Sequence, residues 1–183
     1  MITEPQYWKT EILNCASFLR DKIDQKRWGS VSIGYLERIT MSACYGARKL
    51  YESGYIDEND FHTPIQLRVH STLGKGITSK NWRDLNLHYD LNCSSIENHK
   101  YSFLCNQFIH SFVFIPVLKS EADRGLQGIA FNSDRSKKNS LFYIDIWNLI
   151  DVLAKLGDGY IGRPTIFNIG PNGGLVLAKE QQG

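Results

Sequence analysis

The sequence carries almost no excess charge of either sign. Its 183 residues include 21 lysines and arginines against 19 aspartates and glutamates, for a formal net charge of +2. Proteins that bind long stretches of duplex nucleic acid neutralise many phosphates and therefore need a larger basic excess. The composition does not indicate that class of protein, although it leaves room for one local basic patch.

Long apolar runs are also missing. No run reaches the roughly eighteen consecutive apolar residues that a transmembrane helix needs. The N-terminal stretch MITEPQYWKTEI carries charges where a secretory signal peptide needs an apolar segment. We therefore expect a cytoplasmic protein without a membrane partner.

Patterns typical of metal sites are absent as well. The cysteines lack the short spacing of zinc sites, and the dispersed histidines lack the i, i+4 pairing with a carboxylate that a helical metal site uses. We interpret the cysteines as reduced thiols and these histidines as packed or surface residues, and we expect neither a metal nor a cofactor. The residues concerned are Cys15, Cys44, Cys93, Cys105, His62, His70, His88 and His99.

Two long helices with apolar stripes are predicted at the start of the chain. The first begins at Pro5, a favoured first helical residue, and covers about residues 5–27, where apolar residues recur every three or four positions. The second covers residues 31–53, and its small residues near Gly46 allow another helix to approach closely. This pattern predicts an antiparallel helix pair.

The stretch at residues 95–118 organises the rest of the chain. Its first part predicts a helix that is buried on nearly every side, because its apolar residues cannot share one narrow stripe. Asn106 and His110 are four positions apart and therefore lie on one helical face. They are the candidate chemical groups, together with two polar neighbours, Gln107 and Ser111.

Strand patterns surround this helix. A short half-buried strand is predicted at residues 65–70 and a brief helix at 81–89. Three further strands are predicted at 112–118, 126–132 and 140–144, and Asp145 then caps a helix over 146–156. The basic cluster in the loop before the strand predicted at 140–144 is interpreted as solvated by default. It contains Arg135, Lys137 and Lys138, with Arg124 nearby.

The order of these elements predicts an α+β fold: an antiparallel helical bundle, then a small antiparallel sheet and a C-terminal helix. The bundle covers about residues 5–112, the strand-rich part with its helix about 113–157, and a terminal hairpin about 158–180. With 42% hydrophobic residues, the chain 1–183 is long enough for one core and is expected to be a single domain.

A buried helix that carries a polar residue and then His four positions later resembles the HEPN superfamily. Active members are metal-independent RNA-cleaving proteins that usually work as dimers. Their motif is Arg, a short spacer usually opened by a polar residue, and His. The run Asn106-Gln107-Phe108-Ile109-His110 matches the polar residue and the His, whereas Cys105 occupies the position of the Arg. The likeness covers about residues 5–112 and does not include the sheet.

The resemblance implies an endoribonuclease or RNA-binding protein of a bacterial defence or toxin–antitoxin system, with RNA and a protein partner or second copy as its partners. His110 would move a proton at the RNA 2′- or 5′-oxygen, a task suited to imidazole. Asn106 would orient His110 or a phosphate, and Arg38 or Arg48 would replace the missing arginine. The predicted substrate-binding residues are Gln107, Ser111 and Glu37.

Two other interpretations compete with this one. In the first, the bundle is a catalytically silent binding or assembly module of such a system, and Asn106, Gln107 and His110 form a polar network that fixes helix register. The presence of Cys105 in place of Arg favours this version. In the second, aromatic residues line a small-molecule pocket between bundle and sheet. Those residues are Trp82, Tyr89, Phe142 and Trp147.

Overall fold

The computed structural model describes residues 2–159 together with the backbone of 167–169 and 175–177. The chain forms five α-helices and seven β-strands within these residues. The helices are α1 Pro5–Lys22, α2 Ser30–Glu52, α3 Glu58–Phe61, α4 Tyr101–Ile109 and α5 Ile146–Gly157. The strands are β1 Pro64–Ser71, β2 Ser95–Lys100, β3 Ser111–Leu118, β4 Leu126–Ser133, β5 Ser140–Asp145, β6 Phe167–Ile169 and β7 Leu175–Leu177.

The first two helices pack against each other as predicted. Helix α1 begins at Pro5 but ends at Lys22, five residues before the predicted end at 27. Helix α2 lies within one residue of its predicted bounds at each end. Gly46 allows the close approach, because a Cβ atom there would lie only 2.9 Å from Cε3 of Trp8. The small residues of α2 therefore seat an aromatic ring of α1.

Strands β1 to β5 form one antiparallel sheet in the order β2-β1-β5-β4-β3. The three strands predicted after the central helix are confirmed, and β3 is an edge strand, as its Pro116 indicates. The sheet is larger than the three-stranded one predicted, because two strands that precede α4 in sequence join it: β1 pairs with β5, and β2 pairs with β1. The α+β class is therefore confirmed, while helices and strands alternate along the chain more than expected.

Helix α4 is shorter and more exposed than the sequence suggested. Residues 95–100 form the edge strand β2, and α4 spans only Tyr101–Ile109. The prediction of a helix buried on every side was wrong, since Asn106 and His110 are exposed. The apolar residues of α4 pack on α2 and on the sheet, and this leaves one polar stripe facing outward. Similarly, the brief helix predicted at 81–89 is reduced to a 3-10 turn at Leu85–Leu87.

The hydrophobic core lies between the helices and one face of the sheet. Buried side chains of α1, α2, α4 and α5 contact strands β1, β4 and β5 there. A second, smaller cluster around Tyr89 lies under the 72–94 connection. Helix α5 begins as predicted, with Asp145 Oδ1 accepting a hydrogen bond from the Trp147 amide at 2.8 Å.

The predicted terminal hairpin is confirmed at the backbone level, because β6 and β7 pair antiparallel with Phe167 opposite Leu177. Its predicted turn, at residues 170–174, lies outside the residues that the structure describes.

Candidate functional site

Three separate segments meet around an open pocket of about 460 Å³ at the C-terminal end of α4. Helix α2 contributes Arg48, α4 with its C-cap contributes Asn106, Gln107 and His110, and the segment from the end of β4 into the β4–β5 turn contributes the rest. We call this cavity the basic pocket. Its residues from the third segment are Ser133, Asp134 and Arg135.

Arg48 is held in place at the pocket by two hydrogen bonds. Its Nη1 donates to Asn106 Oδ1 at 3.2 Å, and its Nε donates to Glu52 Oε1 at 2.8 Å. Glu52 lies one turn further along α2, where this spacing brings the two side chains together. The guanidinium therefore reaches α4 from a neighbouring helix and lies beside Asn106.

His110 is the C-cap of α4 and is exposed to solvent. Its main-chain amide bonds to the carbonyl of Asn106, one turn earlier, at 3.2 Å. Within the described residues the imidazole ring has no hydrogen-bonding partner, and His110 is one of the residues that line the pocket. A proton donor or acceptor that solvent and ligand can reach is what general acid–base chemistry requires.

Arg135 belongs to the basic pocket because of the pairing of β3 with β4. Ser111, which follows His110 directly, pairs with Ser133 at the last residue of β4. The turn after β4 must therefore lie beside the end of α4. Consistent with this geometry, the Asp134 amide donates to the His110 carbonyl at 3.3 Å.

The sequence alone predicts a solvated loop for Arg135 and does not single out Asp134 as a site residue. The predicted antiparallel sheet could have indicated both residues, because in such a sheet the end of one strand lies beside the start of its neighbour.

The two acidic groups near the pocket are both engaged by cations. Lys137 Nζ lies 2.6 Å from Asp134 Oδ1, and this hydrogen bond is the main cause that lowers the pKa of Asp134. Hydrogen bonds from Lys49 and then Arg48 lower the pKa of Glu52. Both carboxyl groups are therefore ionised at neutral pH but neutralised locally, which leaves the cavity suited to an anion.

Gln107 has a structural role in the β4–β5 turn. Its side chain is buried, and its Oε1 accepts from the Ser133 amide at 3.0 Å and from Ser136 Oγ at 2.8 Å. Ser111 also turns away from solvent, because its Oγ is buried without a hydrogen-bond partner among the described residues. The sequence predicts that these two residues bind substrate, and this stays a prediction; in the structure Gln107 lines the pocket and also holds the turn that carries Arg135.

Replacing Gln107 with alanine is expected to lower the free energy of unfolding by about 1–3 kcal/mol, because the buried groups of the turn lose an acceptor. Chemical denaturation would measure this. The matched control is Asn106→Ala at the exposed neighbouring position, which is expected to change stability by less than about 0.5 kcal/mol. Equal stability of the two variants would contradict the structural role of Gln107.

Arg38 and Glu37 lie elsewhere on α2. Arg38 precedes Arg48 by ten residues, which corresponds to about 15 Å along a helix at 1.5 Å per residue. Its guanidinium lies over the Tyr35 ring at 4.8 Å from the centroid. Glu37 is half-buried, and burial raises its pKa. Among Glu37, Arg38 and Arg48, the charged residues of α2 proposed from sequence, only Arg48 lines the same pocket as His110.

The side chain of Cys105 does not line the basic pocket and lies in the core instead. It is fully buried beside Cys44 of α2, and this neighbouring thiol together with burial raises the pKa of Cys44 well above its usual range. Cys105 follows Leu104 in the apolar face of α4, about 100° around the helix from Asn106. The helical position that carries Arg in the HEPN motif is thus a core position in this chain.

The aromatic residues proposed to line a small-molecule pocket are dispersed. Tyr89 and Trp82 belong to the small cluster under the 72–94 connection, whereas Phe142 belongs to the main core and Trp147 is exposed. They therefore belong to three different parts of the described structure.

Two general properties complete the description of residues 2–159. No helix there has the length and apolarity to cross a membrane. No cluster of three or more His, Cys, Asp or Glu side chains there has the arrangement of a metal site.

Comparison with protein-family models, with curated proteins and with solved structures finds no match. The basic pocket is therefore the basis on which a function can be inferred.

Proposed function

We propose that this chain is a HEPN-like RNA-processing protein that binds an RNA phosphate in the basic pocket and cleaves the strand there without a metal ion. The observation that supports this most strongly is the meeting of two arginines with an exposed imidazole. Arg48 and Arg135 come from distant parts of the sequence and line the same cavity as His110. Guanidinium groups suit phosphate because they present several donors in one plane.

In the proposed reaction, His110 accepts the proton of the 2′-hydroxyl. The 2′-oxygen then attacks the adjacent phosphorus, and the bond from phosphorus to the 5′-oxygen breaks. The leaving oxygen takes a proton from water or from His110 of a second copy. The products are a 2′,3′-cyclic phosphate and a 5′-hydroxyl. Arg48 and Arg135 stabilise the negative charge that accumulates on the phosphoryl oxygens.

Asn106 positions Arg48 in this proposal. Its Oδ1 accepts from the guanidinium at 3.2 Å, and both side chains lie on the rim of the pocket. Arg48, which comes from α2 and contacts Asn106, would then take the role that the motif arginine has in active HEPN proteins. A homodimer is part of the proposal, because it would supply a second imidazole for the leaving group.

Arg135→Ala is expected to weaken the binding of short single-stranded RNA several-fold. It should also reduce the slope of log K against log[salt] by about 0.7, the value for one phosphate contact on a single strand. Fluorescence anisotropy at several salt concentrations would measure both. The matched control is Lys138→Ala, which removes the same charge from the same turn at a residue outside the pocket. Equal effects of the two substitutions would indicate a diffuse charge effect and would contradict the proposed phosphate site.

A second candidate is the catalytically silent binding or assembly module. The burial of Cys105 against Cys44 favours it, because the HEPN motif position is built into the helix interface rather than into a site. In this version the basic pocket binds RNA or another phosphate-bearing partner without cleaving it. Cleavage assays on the purified protein, with EDTA present and absent, separate the two candidates.

A further inference from the structure

A second cavity lies next to the basic pocket, and its character is different. It has a volume of about 450 Å³ and opens between α1 and α2 beside the end of α4. Its walls include the aromatic side chains Tyr7, Trp8 and Tyr45, with Ile109 at one end. We call it the aromatic groove. Its volume falls within the range of small-ligand sites.

The aromatic rings of the groove are arranged to receive a flat apolar group. Trp8 is seated against Gly46, and the Trp8 and Tyr45 rings are tilted at 58° with their centroids 6.2 Å apart. Tyr45 keeps 44% of its surface exposed and Tyr7 62%, so ring surface is available at the mouth of the groove. Exposed aromatic rings are the usual stacking platforms for bases of single-stranded nucleic acid.

The groove and the basic pocket use adjacent residues of the same two helices. On α4, Ile109 lines the groove and His110 lines the pocket. On α2, Tyr45 lines the groove, and Arg48, three positions later, lines the pocket. Side chains three apart on a helix have Cβ atoms about 5–6 Å from each other. That spacing is one that a single nucleotide, with its phosphate at one end and its base at the other, can bridge.

The charges of the two cavities are complementary to the two ends of a nucleotide. The basic pocket has two arginines for the phosphate, whereas the lining of the groove includes Glu11 and no Lys or Arg. The nearest cation to its rings is Lys49, whose Nζ lies 5.8 Å from the centroid of the Tyr45 ring. A carboxylate repels a phosphate but can accept hydrogen bonds from base N–H groups. The groove therefore suits an uncharged ring and not a second anion.

We propose that the aromatic groove binds a nucleobase of the strand whose phosphate occupies the basic pocket, with Tyr45 as the stacking platform. This inference rests on the proposed function, since it deepens the same site. It makes the substrate a single strand, because a base paired within a duplex cannot enter the groove.

Tyr45→Ala is expected to weaken the binding of short single-stranded RNA about tenfold and to leave the binding of inorganic polyphosphate of similar charge unchanged. Tyr45→Phe keeps the ring and is expected to bind RNA like the wild type. The matched control is Tyr35→Ala on the same helix, because Tyr35 is 42% exposed and lies outside the groove. Thermal melting first confirms that each of the three variants folds. Anisotropy titrations of the full chain then measure the affinities of the wild type and the three variants.

The outcomes distinguish the two proposals. If Arg135→Ala weakens RNA binding but Tyr45→Ala does not, the base site is wrong while the phosphate site stands. If the wild type binds neither RNA nor polyphosphate, both are wrong. If Tyr45→Ala leaves RNA affinity unchanged and alters the oligomeric state in light scattering, the groove holds a second copy of the chain, and the base site is again wrong.

Discussion

Replacing His110 with alanine is expected to lower the rate of RNA cleavage by about 10²- to 10⁴-fold, the usual contribution of one general acid–base group. An imidazole can both accept and return a proton, whereas the guanidinium groups of the same pocket cannot give up theirs. Product formation on a labelled single-stranded RNA, measured under single-turnover conditions, gives the rate of the chemical step.

Stability is the second measurement on the same variant. Because the His110 ring is exposed and has no hydrogen-bonding partner among the described residues, its removal is expected to change the free energy of unfolding by less than about 0.5 kcal/mol. Activity should therefore fall without a change in melting temperature. His110→Gln, which keeps a polar side chain but cannot exchange a proton, is expected to be equally inactive.

His99→Ala provides the control outside the pocket. His99 lies on β2 and stacks on Phe103, so its loss can lower stability slightly but is not expected to change cleavage. A His110→Ala variant that still cleaves RNA at the wild-type rate would remove the catalytic proposal. If the His110→Ala variant melts several degrees lower and the wild-type protein does not cleave RNA, the silent module is supported.

Cys105→Arg, which would introduce the arginine of the HEPN motif, is expected to unfold the protein rather than activate it. Cys105 is fully buried between α4 and α2, where a guanidinium would lose its hydration and could not lose its charge. An unpaired buried charge costs several kcal/mol, and the larger side chain adds roughly 1–3 kcal/mol of overpacking. That total is comparable with the whole stability of a typical domain, about 5–15 kcal/mol.

Expression in soluble form, circular dichroism and thermal melting would measure this effect. Cys93→Arg is the matched control, because Cys93 is exposed and the same substitution there is expected to leave the fold intact. Cys105→Ala tests whether the thiol itself matters and is expected to be far milder than Cys105→Arg. A folded Cys105→Arg variant with increased RNA cleavage would show that this position can reach the pocket, contrary to the core packing described above.

Local patterns predicted much of the secondary structure. Pro5 and the cap Asp145 each act within one or two turns, so their effects can be read without knowing the fold. The prediction failed at residues 95–100, where the chain pairs with β1 as an edge strand. Strand pairing depends on a partner that is distant in sequence, and therefore periodicity within the segment could not predict it.

The candidate site also combines features that the sequence predicts with features that only the structure shows. The spacing of Asn106 and His110 places them on one helical face, and this was readable from sequence because helix geometry is local. Their exposure was not readable, since it depends on which side of α4 the sheet and α2 cover. Arg48 was one of two candidate arginines on α2, and only its contact with Asn106 distinguishes it from Arg38.

By itself, then, the sequence determined that the chain combines helices with an antiparallel sheet and that a polar pair with His lies on one helix. The tertiary structure alone decided what surrounds that pair. The register of β3 with β4 brings Arg135 beside His110, and the packing of α2 on α4 brings in Arg48 while it buries Cys105. The reason is that a helix or strand period is set by neighbours in the chain, whereas a pocket is set by contacts between residues far apart in it.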